Sequence, residues 1–202
     1  MSLWLASDPL LLASRSAARR ALLEAAGIPV ELHPADIDER GLEADAGSAA
    51  PAEIAALLAR AKASVIAGLR PGRLVLGADQ TLALGVERFA KPADGAAARS
   101  QLRSLSGRTH ELHSAVAFMQ DATVLFEYVG SARLTMRRLS DRVLDQYLET
   151  IGNAATASVG AYQIEGPGVQ LFERVEGDYF TILGLPLFAA LDFLRRRGCL
   201  TS

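Results

Sequence analysis

The run Leu74-Val-Leu-Gly-Ala is apolar throughout and too short for a helix. A strand covered on both faces reads this way, because both sides of its pleat must meet apolar neighbours. The run therefore predicts a central strand with a layer packed on either side, and it ends on a carboxylate, Asp79. The flanking sequence supplies the layers. Pro9 to Ser14 reads as a short buried strand, and Ser16 opens a helix through Ala26 that Gly27 and Pro29 stop. Val30 to Asp36 is a second strand candidate, and the polar, Gly- and Ala-containing segment from Asp38 to Ala50 is expected to be a mobile loop. Pro51 leads into a helix over Ala52 to Ala67, ended by Gly68. Leu82 to Ala90 follows as a hairpin partner around Gly85, and Asp94 caps a helix that runs to Leu105. Thr109 to Phe118 and Thr123 to Met136 read as strands joined by a turn at Gln120-Asp121. Ser140 caps a helix to Ile151, Gly160 to Glu176 looks irregular, and Pro186 starts a last helix ending at Arg197. This alternation predicts an α/β fold with a mixed twisted sheet and flanking helices, organised as one chain-wide domain over residues 1–202.

Composition narrows the function. Half of the residues are hydrophobic and 22% are charged, so the chain can build a core and is not disordered. A net charge of −2 argues against nucleic acid or a membrane surface as a partner. No stretch approaches the roughly 20 continuous apolar residues of a membrane span, and Met1 to Leu12 has no basic segment of the kind a secretory leader carries. The single cysteine, Cys199, excludes an internal disulfide framework and suits the reducing cytoplasm. The basic residues are lopsided: 19 are arginine, and only Lys62 and Lys91 are lysine. A lysine that survives such a bias marks a place where a compact, rotatable ammonium serves better than a planar fork, or else chance survival on the surface.

Three features carry chemistry. Arg19 and Arg20 stand in the first turn of a helix, where the positive end of the dipole disfavours a cation by roughly 0.3–1 kcal/mol each. With Ser14, Ser16 and the free N–H groups facing the same corner, the arrangement suits a bound phosphate, and a solvated arginine pair is the plain alternative. Asp79, at the carboxyl end of a buried strand, lies where α/β sheets place their crevice and can activate water or hold a metal, though a turn-forming aspartate would read the same way. Asp36, Asp38 and Glu39 offer hard oxygen ligands of the kind magnesium or manganese takes, or simply make an acidic solvated loop. His33, His110 and His113 show no zinc-like spacing with Cys199 and are expected in strand or turn roles. Gly166-Pro-Gly168 lacks the third glycine and the strand–turn–helix setting of a dinucleotide-binding motif.

Taken in order, Leu12-Ala-Ser-Arg-Ser-Ala-Ala-Arg-Arg, Ile37-Asp-Glu, Arg60-Ala-Lys-Ala, Leu76-Gly-Ala-Asp-Gln, Lys91-Pro, Leu105-Ser-Gly-Arg-Thr-His, Gly160-Ala-Tyr-Gln-Ile-Glu-Gly and Gly184-Leu-Pro-Leu resemble the Maf family of nucleotide pyrophosphatases. The resemblance spans nearly the full length. It implies two lobes around a cleft, as in inosine triphosphatases, and a hydrolase that needs a divalent metal (Mg or Mn), splits a nucleoside triphosphate into monophosphate and pyrophosphate, and forms a homodimer. It aligns Asp79 with the catalytic base and metal-side carboxylate, Glu39 with an acidic metal-side residue, and Ser14, Arg19, Lys62 and Lys91 with phosphate-side residues, beside Ser16 and Arg20. Gln80 and Glu165 match the branch that hydrolyses 7-methyl-GTP, whereas Ala18 stands where that branch has a tryptophan. The family's link to septum formation and cell division supplies a non-catalytic alternative, in which the nucleotide is sensed rather than cut.

Overall fold

The computed structural model describes residues 3–201. Met1, Ser2 and Ser202, at the ends of the expected chain-wide domain and of the Met1 to Leu12 segment, lie outside the described residues. In chain order the elements are β1 (Leu10–Leu12), α1 (Ala17–Ala25), β2 (Val30–Leu32), α2 (Glu39–Asp45), α3 (Pro51–Leu69), β3 (Leu74–Leu84), β4 (Glu87–Phe89) and α4 (Gly95–Leu105). They continue with β5 (Thr109–Gln120), β6 (Thr123–Met136), α5 (Asp141–Ile151), three short 3-10 turns between Gly152 and Leu171, β7 (Phe172–Glu176), α6 (Tyr179–Ile182) and α7 (Leu187–Arg196). The strands make one mixed sheet of order β2-β1-β3-β5-β6-β7, with β4 pairing β3. The β1–β2 and β1–β3 pairs are parallel, and the β3–β4 and β6–β7 pairs antiparallel. The expected α/β fold with a mixed sheet is the one observed.

Four local expectations are corrected. Asp79 does not end a strand: β3 runs on through it to Leu84, because residues 81–84 keep a buried pattern, and it turns only where Gly85 takes a positive φ of 65°. The segment after Asp38 is not wholly a loop, since the Asp38 side chain accepts from the Gly41 N–H at 3.0 Å and caps α2. The irregular stretch from Gly160 contains β7, whose largely exposed residues 173–175 hide the apolar run by which the other strands are recognised. The helix expected over Ala52 to Ala67 runs two residues further, through Gly68 to Leu69.

The chain divides into two compact units. Among the described residues the first takes the chain up to Gln80, His113–Ser131 and everything from Asp178; the second takes Thr81–Leu112 and Ala132–Gly177. In the first unit the strands alternate in the period of two that a pleat imposes. Leu10, Leu12, Leu76, Ala78, Val116 and Phe118 face α1 and α7, while Leu11, Ala13, Val75, Ala115 and Ala117 face α3. The α3 side is built from alanines, and Gly77 shows why: a Cβ there would lie 2.0 Å from the Ala59 carbonyl oxygen. Helix backbone rests directly on strand backbone at this point. In the second unit, α4 and α5 are joined on the surface by Arg99 to Asp141 and Asp145 and by Arg103 to Asp141. Beneath lies an aromatic group in which Tyr162 meets Phe172 edge-on and holds His110 Nε2 at 2.8 Å.

Candidate active site

The site in the first unit starts where β1 leaves the sheet. The last β1-to-β3 bond is Ala13 N–H to Leu76 O, at 2.9 Å. Beyond it the chain turns at Ser14, and Ser16 caps α1 by accepting from the Arg19 N–H at 3.3 Å. Ser14 Oγ accepts from the Ser16 N–H and from Arg19 Nη1, both at 3.2 Å. Arg19 is buried, and its donors reach two main-chain carbonyls: Nη1 to Ala78 O at 2.7 Å and Nε to Gly184 O at 2.8 Å. Burial lowers its pKa, and the negative charges of Asp79 and Glu39 work against that shift. A guanidinium stays protonated in proteins, so this is a fixed buried charge.

Asp79 sits on β3 beyond the last β1 contact, on the α3 face. Lys62 comes from the buried stripe of α3, sharing it with Leu58, Ala59, Ala63 and Ile66. An ammonium in an apolar stripe must find partners. Lys62 Nζ donates to Asp79 Oδ1 at 2.5 Å and pairs with Glu39 Oε1 at 2.8 Å. Glu39, the first residue of α2, is half exposed, whereas Lys62 and Asp79 are buried. Arg19, Lys62, Asp79 and Glu39 thus form a cluster in which two cations balance two carboxylates.

The other expected residues fall out differently. Arg20 is exposed and pairs with Glu24 at 2.7 Å, one turn along α1. Ala18 is exposed on the same helix, Asp36 is exposed, and Asp38 is used as a cap. Gln80 points its amide into protein: Nε2 lies 3.0 Å from Ser114 Oγ, 3.2 Å from Thr181 O and 3.0 Å from Ile182 O. Lys91 and Glu165 belong to the second unit, both exposed, Lys91 between β4 and α4 and Glu165 in a turn before Pro167. Burial raises the Tyr147 phenol pKa, the Gln163 N–H counters it, and the charge of Glu165 adds to the rise. His110 and His113 lie on β5 and His33 follows β2, in the strand and turn roles expected of them.

Sequence reasoning missed the groups that hold Arg19. Carbonyls carry no side-chain signature, but Gly184 does: its φ of 94° is open to glycine and strained for other residues. It also missed Ser114 and Thr181, buried polar residues bonded to each other through Ser114 Oγ to Thr181 O at 2.7 Å.

A family model described as Maf-like protein matches residues 9–197. The nucleoside triphosphate pyrophosphatase of Rhodopseudomonas palustris (strain ATCC BAA-98 / CGA009) is 58% identical over 200 residues, covering 99% of each chain. That of Bradyrhizobium diazoefficiens is 54% identical over 96% of each chain. The 7-methyl-GTP pyrophosphatase of Mesorhizobium japonicum is 52% identical over 96% of this chain and 98% of that protein.

Proposed function

Because the chain belongs to the Maf family, we propose that it is a hydrolase that cuts nucleoside triphosphates into the monophosphate and pyrophosphate. The observation that carries this reading is the buried Lys62–Asp79 pair beside Arg19, just past the carboxyl end of β1. Lys62 holds one oxygen of the Asp79 carboxylate, which leaves Oδ2 to accept a proton. Water gives that proton to Asp79 as its oxygen bonds to the α-phosphorus. The bond from the α-phosphorus to the bridging oxygen breaks, and the electron pair leaves on pyrophosphate. Arg19, with Nε and Nη1 occupied, has Nη2 for a phosphate oxygen, and its fixed charge needs no reorganisation during the reaction. Ser14 and Ser16 line the same corner, and Lys91 is a further phosphate-side cation by its motif.

The cluster is neutral as a whole, so a highly anionic triphosphate needs more positive charge than Arg19 and Lys62 bring. Among the described residues there is no group of three or more His, Cys, Asp or Glu able to cage a metal. Glu39 and Asp79 are nevertheless hard oxygen donors, and magnesium is usually held by one or two carboxylates together with substrate phosphates. These two residues would hold a magnesium or manganese ion, which supplies charge neutralisation at the phosphates. A sensor that only binds nucleotide has no need of a carboxylate held ready for a proton.

The base is read through Glu165, whose carboxylate can accept from both donors on the Watson–Crick edge of guanine, and 7-methylguanine adds a positive charge. The enzyme acts as a cytoplasmic homodimer. No helix among the described residues is long and apolar enough to cross a membrane.

The test is a panel of canonical and modified triphosphates, including 7-methyl-GTP, incubated with the protein and magnesium or manganese in heavy-oxygen water. Monophosphate carrying the label, together with unlabelled pyrophosphate, is the expected result. Diphosphate and inorganic phosphate, or no hydrolysis of any triphosphate, would sink the reading.

A further inference from the structure

Gln80 and Arg19 grip the same turn from two sides. The turn begins at Asp178, whose Oδ2 accepts from the Thr181 N–H at 2.8 Å and from Thr181 Oγ1 at 2.9 Å. It closes with the Gly184 N–H donating to Thr181 O at 3.1 Å. Gln80 Nε2 faces the carbonyls of Thr181 and Ile182, and Arg19 Nε takes the carbonyl of Gly184. A Cβ at Gly184 would lie 3.5 Å from Arg19 Nε, 3.6 Å from Arg19 Nη2 and 3.6 Å from Gln80 Oε1, so both side chains close on one α-carbon.

The carboxamide has only one workable orientation. Ser114 Oγ spends its proton on Thr181 O and can therefore only accept from Gln80. Flipping the amide would set Oε1 against two carbonyl oxygens and one committed hydroxyl oxygen, acceptor against acceptor. Both amide hydrogens are thus used within the protein, on a choice of three acceptors.

We propose that Gln80 is a positioning residue: with Ser114 it clamps the residue 181–184 turn, and through the Gly184 carbonyl it fixes how Arg19 meets the triphosphate, without using its N–H groups to read the base. The inference deepens the hydrolase reading, and one of its tests does not depend on that reading.

The variants are Gln80→Leu, Gln80→Glu and Ser114→Ala. Gln80→Glu keeps the shape but replaces the donor with a carboxylate facing carbonyls, so it behaves like Gln80→Leu. In both, kcat/KM falls by about tenfold or more, the effect of taking the amide donor from the buried Ile182 carbonyl while Thr181 O keeps Ser114 and the Gly184 N–H, and by the same factor for every base in the triphosphate panel. Ser114→Ala, which removes one partner of the clamp and leaves Gln80 in place, gives a smaller fall that is also uniform across bases. Independently of turnover, the Arg19 Nε–H, held on Gly184 O in a buried site, gives a slowly exchanging NMR signal in the wild-type protein. That signal exchanges faster in all three variants that fold. A change in base preference with the Arg19 signal unaltered would overturn the proposal, as would wild-type efficiency in Gln80→Glu. Absence of triphosphate hydrolysis by the wild-type protein would instead sink the hydrolase reading and leave the Arg19 signal to decide the clamp.

Discussion

Lys62 Nζ stands 2.5 Å from Asp79 Oδ1, joining the buried stripe of α3 to the middle of β3. Each ion would be costly to bury alone, and Glu39 gives the lysine a second partner at the edge of the solvent. The pair makes Asp79 the first residue to test. Asp79→Asn keeps the volume and removes the proton acceptor, so turnover should fall by at least about a hundredfold, the scale of a lost general base. Glu39 still faces Lys62 in that variant, so the folded state should persist by thermal melting. Near-wild-type turnover would remove Asp79 from the reaction.

The two lysines should resist replacement by arginine, for different reasons. Lys62 fills a place between Asp79 and Glu39 that suits a point charge, and a wider guanidinium cannot bond both carboxylates from the same spot. Lys62→Arg should lower both melting temperature and turnover. Lys91 is exposed, so Lys91→Arg should melt like the wild type and lose turnover alone. If both arginine variants keep full activity, the lysines are there by chance.

Gly77→Ala tests how the lysine reaches the aspartate. The new Cβ would lie 2.0 Å from Ala59 O and 2.7 Å from Ala63 N, both helix backbone atoms that cannot rotate away. Pushing α3 off the strand should cost about 1–3 kcal/mol or more and draw Lys62 away from Asp79. Denaturant unfolding and turnover should therefore fall together. A stable, fully active variant would mean that the close approach is not needed.

Glu165→Gln should move relative activity from guanine-type toward pyrimidine triphosphates by roughly tenfold, if a charge-assisted bond to the base is lost. The comparison is a ratio of kcat/KM values, so that general damage cancels. Glu165 is exposed, so the melting temperature should not change. An unchanged ratio would show that this carboxylate does not read the base.

His110 predicts the acid limit of the fold. Burial lowers its pKa from 6.5 to about 4, so the folded state disfavours the proton that the unfolded chain accepts. The resulting stability is fully present above pH 6.5, drains as pH falls through that value, and is gone below about 4, a loss of about 3 kcal/mol in all. Denaturant midpoints across this range should show the slope in the wild type and lose most of it in His110→Gln. Equal slopes in the two proteins would place the acid sensitivity elsewhere.

What was legible in the sequence is local chemistry. The caps at Ser16, Asp94 and Ser140 were readable because a cap is a contact with the N–H groups of residues three positions on. The central strand was readable because burial on both faces leaves no polar position in Leu74 to Ala78. Asp79, Glu39, Lys62 and Arg19 were identifiable as candidate residues by type and motif. Only the tertiary structure joined Lys62 to Asp79, occupied two donors of Arg19 with the carbonyls of Ala78 and Gly184, and turned the Gln80 amide inward. The extension of β3 through Asp79, the helix after Asp38 and the edge strand β7 also emerged only there. The reason is physical. A cap or an apolar period is set by neighbours a few residues away, whereas a buried charge is placed by whichever distant group packing brings within hydrogen-bond reach.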